Sequence, residues 1–206
     1  MTSVNDRRRG ERPGDERPGD APDVVWSPLE RAIRVANVVV ESGPSLDENR
    51  EAVRGDVAAA LNDRSLAPDL WPDEALDAII EVARDLLDSV LGERDVDRAA
   101  GEINRLLEGS ASKPRLSNHG GRTWHLHTDP VPLEWGSWFA SSSALALALA
   151  LSARGRVVWG RCRAVGCGRA FLDSGRGGPR LYCSSTCASR TRVAELRSRR
   201  RRESAA

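Results

Sequence analysis

The chain has 206 residues, 40% of them hydrophobic and 30% charged, which allows one hydrophobic core and a small appendage but excludes several large domains. Its net charge of +1 conceals a segregation. Arg154 to Arg202 hold 14 arginines against two acidic residues, a net of +12, whereas residues 1–153 hold 17 basic and 27 acidic side chains, a net of −10. Such a chain attracts polyanions at one end only, and its core-forming part repels nucleic acid.

Residues 1–22 read as a disordered tail: Met1 to Asp20 are polar, with Arg-Pro-Gly-Asp at 12–15 repeated at 17–20 and no apolar run. No secretory signal opens the chain, so a cytoplasmic setting is expected, in which thiols stay reduced and bind metal.

Helix signals follow in order. Ser27-Pro28-Leu29-Glu30 combines an N-cap serine, a first-position proline and a capping-box glutamate; Leu29, Ile33, Ala36 and Val40 mark one face, and Gly43-Pro44 ends the helix. Ser45-Leu46-Asp47-Glu48 repeats the box before Val53, Val57 and Leu61. A third helix runs from Pro72 to Gly92 on Leu76, Ile79, Ala83, Leu86 and Val90, and a fourth, capped by Asp95, carries Ile103, Leu106 and Leu107 to Gly109. The period then changes. Residues 114–117 and 123–128 are short extended runs around the turn Asn118-His119-Gly120-Gly121, a β-hairpin. Residues 132–153 return to helix, with 19 uncharged residues between Glu134 and Arg154. Length permits a membrane span, but the serines and alanines make hydrophobicity weak, so a buried core helix is expected. Residues 23–153 thus read as a mostly helical domain with one hairpin.

Cys162-x4-Cys167 and Cys183-x3-Cys187 lie 15 residues apart. Each close pair supplies two thiolates from one tight turn, and the connection folds back to close a tetrahedral site. Gly166 and Gly168 flank the second cysteine, where a turn around a metal needs glycine's backbone freedom. About 50 residues with few large apolar side chains bury too little surface to fold unaided, and metal coordination supplies about 10 kcal/mol or more. Four soft thiolates with no open position favour one structural Zn²⁺. Phe171, Leu172, Leu181 and Tyr182 are expected to pack over the site, and Arg161, Arg163, Arg169 and Arg190 to offset its negative charge. The last cysteine opens a helix capped by Ser184 or Ser185, with Val193 and Leu196 as a modest apolar edge among Arg190, Arg192, Arg197, Arg199, Arg200, Arg201 and Arg202. Guanidinium groups pair with phosphates and read guanine, so these arginines are the candidate nucleic-acid contacts.

These residues resemble the CGNR zinc finger proteins, whose N-terminal part is the ABATE domain, described as bacterial stress-induced transcription regulators. The likeness runs through Cys162-Arg-Ala-Val-Gly-Cys167-Gly-Arg-Ala-Phe171-Leu-Asp173, Tyr182-Cys183-Ser184 and Cys187-Ala-Ser-Arg190. It extends to Ile-Asn-Arg-Leu-Leu at 103–107, Pro114-Arg115-Leu116 and Trp124-His-Leu-His127. The signature Cys-Gly-Asn-Arg reads Cys187-Ala188-Ser189-Arg190 here. The resemblance implies a mainly α fold with a small hairpin (α+β), an ABATE-like domain at 23–153, and a treble-clef-like four-cysteine finger at 154–202.

Trp124, His125, His127 and Trp138 offer the walls of an effector pocket; core packing, and strand histidines that are simply hydrogen-bonded, are the plainer reading. The acidic stripe Asp77, Glu81, Asp85 and Asp88 reads as a solvated face. No phosphate-cradling loop, HExxH or nucleophile elbow is present, and no enzyme is expected. The expected function is transcription regulation, with a helical domain that senses a signal or forms a homodimer and a zinc module that binds DNA. A zinc-stabilised module docking RNA or an acidic protein is the alternative.

Overall fold

The computed structural model of the chain describes residues 23–61, 71–110, 113–118, 124–128, 134–173, 175 and 178–204. The tail at 1–22 and most of the hairpin turn lie outside these. Six helices and two two-stranded antiparallel sheets follow one another: α1 Asp23–Ser42, α2 Arg50–Leu61, α3 Asp73–Asp85, α4 Val96–Gly109, β1 Arg115–Ser117, β2 His125–His127, α5 Trp135–Arg154, β3 Trp159–Arg161, β4 Ala170–Leu172 and α6 Ser185–Glu203.

Two starts differ from the sequence reading. α1 begins at Asp23, so Pro28 lies inside the helix instead of at its first position, where it removes one backbone hydrogen bond and crowds the carbonyl four residues before it. α2 begins at Arg50, five residues after the serine of the apparent capping box. Gly43–Ser45 form a 3-10 turn instead, and Leu46 is buried in the core at 4% exposure. Burying that leucine takes precedence over an early helix start. The Ser45 carbonyl accepts the Asn49 amide at 3.0 Å.

The remaining boundaries follow the expected chemistry. Asp95 caps α4, its carboxylate accepting the Arg98 amide at 3.0 Å. α5 ends at Gly155, whose φ of 59° is the left-handed cap conformation that glycine adopts without penalty. α3 runs on into a π turn, Leu86–Val90, closed by the Leu91 amide on the Leu86 carbonyl at 2.8 Å. The wider turn leaves the Leu87 carbonyl for a partner outside the helix, Arg161 at 3.3 Å.

α1 and α5 form the centre. α1 packs on α2, α3 and α5, and α5 on α1, α3 and α4. α5 is long and apolar enough to cross a membrane, with a mean hydropathy of 1.3, yet it buries Phe139, Ala144, Ala146, Leu147 and Ala150 in this core. Its small residues let helices approach closely: a Cβ added at Gly136 would sit 2.9 Å from that of Ala78 in α3. Gly136→Val is therefore expected to cost about 1–3 kcal/mol by overpacking, read as a lower urea midpoint with unchanged slope. Buried Ser141 places its hydroxyl 3.0 Å from the Thr128 carbonyl, tying the end of β2 to α5. The β1–β2 hairpin pairs Leu116 with Leu126, and both leucines are exposed.

The core continues past α5. Val157, Val158, Trp159 and Ala170 belong to the same buried cluster as the helices. Trp159, fully buried, donates its indole N–H to the Val90 carbonyl at 3.0 Å. Asn37 of α1 donates to the Ala170 carbonyl at 3.1 Å and accepts the Ala170 amide at 2.8 Å, so its side chain acts as one more strand beside β4. The β3–β4 hairpin, absent from the sequence reading, is thereby fixed to the helices.

Candidate metal centre

β3 and β4 pair Trp159 with Leu172, Gly160 with Phe171 and Arg161 with Ala170. The ladder ends where the Cys162 amide donates to the Arg169 carbonyl at 2.8 Å. Between them the chain makes a tight knuckle, closed by the Cys167 amide on the Ala164 carbonyl at 3.0 Å. Gly166 and Gly168 have φ of 71° and 67°, a left-handed conformation that uses the backbone freedom for which glycine was expected there. The second pair is carried to the first by the Arg163 amide on the Leu181 carbonyl at 3.0 Å. Ser184 then caps α6, its hydroxyl oxygen accepting the Cys187 amide at 3.2 Å, which sets Cys187 in the first turn of the helix.

The four sulfurs meet. Cys167 and Cys183 are 3.6 Å apart, Cys183 and Cys187 3.7 Å, Cys187 and Cys167 3.8 Å, and all four Sγ atoms lie within 4.8 Å of one another. Zn–S bonds of about 2.3 Å in a tetrahedron put the sulfurs about 3.8 Å apart. A disulfide would need about 2.05 Å, and all four cysteines are free. The donor set and its spacing fit one structural Zn²⁺. Thiolate ligands on all four sides leave no position for substrate or water, so the metal would supply folding energy and no reaction.

The thiols have distinct electrostatics. Burial alone would raise Cys162, but the amides of Cys183 and Ala164 donate to its sulfur and bring it down to about 7. Burial and the adjoining sulfurs of Cys167, Cys162 and Cys187 push Cys183 up to about 12. Burial also raises Cys167 against the opposing Arg169 amide. Without metal, Cys167 and Cys183 are thus held as thiols at neutral pH, and coordination must release their protons. Zinc affinity is expected to fall as pH is lowered, more steeply below pH 7, where Cys162 is protonated too. Competition with a chromophoric chelator between pH 6 and 8.5 measures this; a flat profile would contradict the assignment.

A second ring of contacts, which sequence reasoning missed, holds the ligand turns. Arg180 donates to the Cys183 carbonyl at 2.8 Å, and its guanidinium lies 5.1 Å from the Phe171 ring. The Arg180 amide donates to the carboxylate of buried Asp173 at 3.0 Å. Arg94, from the helical part, donates to the Arg180 carbonyl at 2.6 Å and covers Gly160, where an added Cβ would collide with its guanidinium. Asp173 lies within the matched motif, but nothing in the pattern marks Arg94 or Arg180 among so many arginines.

Of the residues expected over the site, Phe171 and Tyr182 pack there. Leu172 turns instead to the helical core, and Leu181 is 40% exposed, because β4 alternates faces and lies between the two clusters. Of the arginines expected to offset the sulfur charge, Arg190 places Nη2 3.9 Å from Cys187 Sγ and donates to the Val165 carbonyl at 3.2 Å. Arg161 reaches the Leu87 carbonyl and Asp88, and Arg169 pairs with Glu41 at 2.9 Å; both serve docking onto the helices.

The candidate nucleic-acid arginines all lie on α6. Cys187 is its only buried residue, and every residue from Arg192 to Ser204 is exposed. Of the candidate pocket residues, Trp124 is 66% exposed beside β2, and Trp138 packs edge-on against Trp135 at 5.9 Å under the Arg31 guanidinium. The backbones of His125 and His127 pair with Ser117 and Arg115; their side chains lie outside the described residues.

The sequence model of the CGNR zinc finger family matches residues 159–200, the span from β3 through the knuckle and most of α6. No curated protein matches the chain at a significant level.

Proposed function

We propose, from the CGNR zinc finger that residues 159–200 carry, that this protein is a cytoplasmic transcription regulator that binds DNA through α6. One observation supports this above the others: a helix whose first turn holds a metal ligand projects from the fold with Arg192, Arg197, Arg199, Arg200, Arg201 and Arg202 exposed around it. The sulfur cluster gives that helix a fixed origin, and Arg190, bonded to the knuckle at Val165, braces its direction. The guanidinium groups then neutralise phosphates, a contact that needs no further folding of the module. The acidic helical body, which would repel a polyanion, leaves α6 as the point of approach; its role in this reading is to sense a signal or to associate with a second copy.

Duplex DNA binding by the zinc-loaded full chain is expected to weaken steeply with salt, with a log–log slope corresponding to about 4–8 displaced counterions. Fluorescence anisotropy titrations from 50 to 300 mM salt measure it. A slope near zero would rule out phosphate neutralisation, and capture of an acidic protein in place of DNA would favour a protein-docking module.

A further inference from the structure

We infer that the face of α6 turned away from the cysteine cluster enters the DNA major groove, with Ser189, Val193 and Leu196 against base edges and arginines toward both groove walls. This rests on the DNA-binding reading above and adds to it which side of the helix reads and what it reads.

The faces of α6 follow from its spacing. Cys187 is buried and Ala188 and Thr191 are half-buried, so the side they share faces the body. Ser185, Ser189, Val193, Leu196 and Arg200 recur at intervals of four, four, three and four, which places them on one opposite stripe. Val193 and Leu196 are 47% and 50% exposed. Arg190 and Arg197, seven apart, border this stripe on one side; Arg192 and Arg199, also seven apart, border it on the other. Glu195 comes four residues after Thr191 and seven after Ala188, on the inward side. From Ser185 to Leu196, its first three turns, the outward stripe therefore carries no charge; Arg200 and Glu203 continue it at the far end of the helix. A shallow depression extends from the Ser185, Ser189 and Val193 edge of the stripe across Arg190 and Arg197 to Ala194.

Duplex DNA is complementary to this arrangement. The major groove is about 12 Å wide between two phosphate walls and admits one α-helix. A central stripe of short side chains lets the helix approach the groove floor, where hydroxyls bond either base edge and aliphatic groups meet the thymine methyl. Arg197 on one border and Arg192 and Arg199 on the other match phosphates on both strands, while Arg190 stays bonded to the knuckle. A flexible basic tail would instead scatter charge without leaving an uncharged stretch, Ser185 to Leu196, between arginines. Duplex RNA presents a deep, narrow major groove that side chains cannot read, so the fit is to DNA.

The test is selection from a randomised duplex pool with the zinc-loaded full chain, followed by anisotropy titrations on the selected and a scrambled duplex. Val193→Ala/Leu196→Ala is the stripe variant; alanine is the better helix former, so loss is not fraying. It is expected to lose about tenfold or more in preference for the selected duplex while its salt slope stays unchanged. Arg197→Ala and Arg199→Ala, one from each border, are each expected to weaken both duplexes alike and reduce the slope by about one. The wild type is expected to bind duplex RNA of the selected sequence at least about tenfold more weakly. Salt-dependent DNA binding without sequence preference, a stripe variant that keeps the preference, one arginine border without effect, or equal affinity for duplex RNA would each overturn the groove assignment while the DNA-binding reading stands. A wild type that binds no DNA at all would remove both.

Discussion

Cys187→Ser protein is expected to lose its zinc and with it the order of α6, while the helical body stays folded. The second buried cluster consists of Cys162, Ala164, Phe171 and Cys187, too little apolar surface to hold the knuckle and the helix start together without a cation. Cys187 is also the only buried residue of α6, and so its only anchor in a packed interior. Removing one of four thiolates should lower zinc affinity by more than the about 10–100-fold that loss of an outer-shell partner costs. Elemental analysis should fall from one zinc per chain toward none. Hydrogen exchange should accelerate across residues 181–204 and remain slow in α3 and α5. Trp159 and Ala170 belong to the helical core, so the β3–β4 hairpin should keep its protection in the same experiment. Full zinc content with unchanged exchange in α6 would contradict the assignment of the site.

Trp159→Ala is expected to be the most damaging single change to the fold outside the cysteines. Its side chain is fully buried among helices far from it in sequence, and its indole N–H bonds the Val90 carbonyl, which also accepts the Glu93 amide at 3.0 Å. Truncation of a buried aromatic costs about 3–5 kcal/mol, a large part of the about 5–15 kcal/mol that holds a domain folded. For a chain of 206 residues this corresponds to a drop of about 10 °C or more in Tm. Trp159→Phe keeps most of the packing and removes only the indole donor, and should cost about 1–3 kcal/mol. Chemical denaturation of the two variants separates packing from the hydrogen bond. Equal, small effects of both would mean that the hairpin contributes little to the core.

Both experiments bear on one arrangement: the finger is joined to the helices through β3 and β4, and α6 is joined to the finger through sulfur. Asn37, Arg94 and the π-turn carbonyls hold the first junction, and Ser184 and Cys187 the second. The position of α6 relative to the helical body is therefore expected to depend on metal occupancy more than that of β3 and β4.

The sequence was most informative where a residue type has one dominant physical use. Paired cysteines at short spacing, glycines beside the second ligand, Asp95 before a periodic apolar run, and Ser184 before the last helix each led to the element observed. The capping-box serines did not. Local hydrogen-bonding capacity at Ser27 and Ser45 was overridden by continuation of α1 toward Asp23 and by burial of Leu46.

Taken by itself, the amino-acid order determined the helical class, the four-thiolate metal site and the separation of acidic body from basic helix, because these depend on residue type and near-neighbour spacing. Only the tertiary structure decided that Trp159 closes the helical core, that Arg94 and Arg180 hold the ligand turns, and that one side of α6 faces outward. Those depend on contacts between residues up to 86 positions apart, and no local pattern encodes which of many arginines or tryptophans will meet across such a distance.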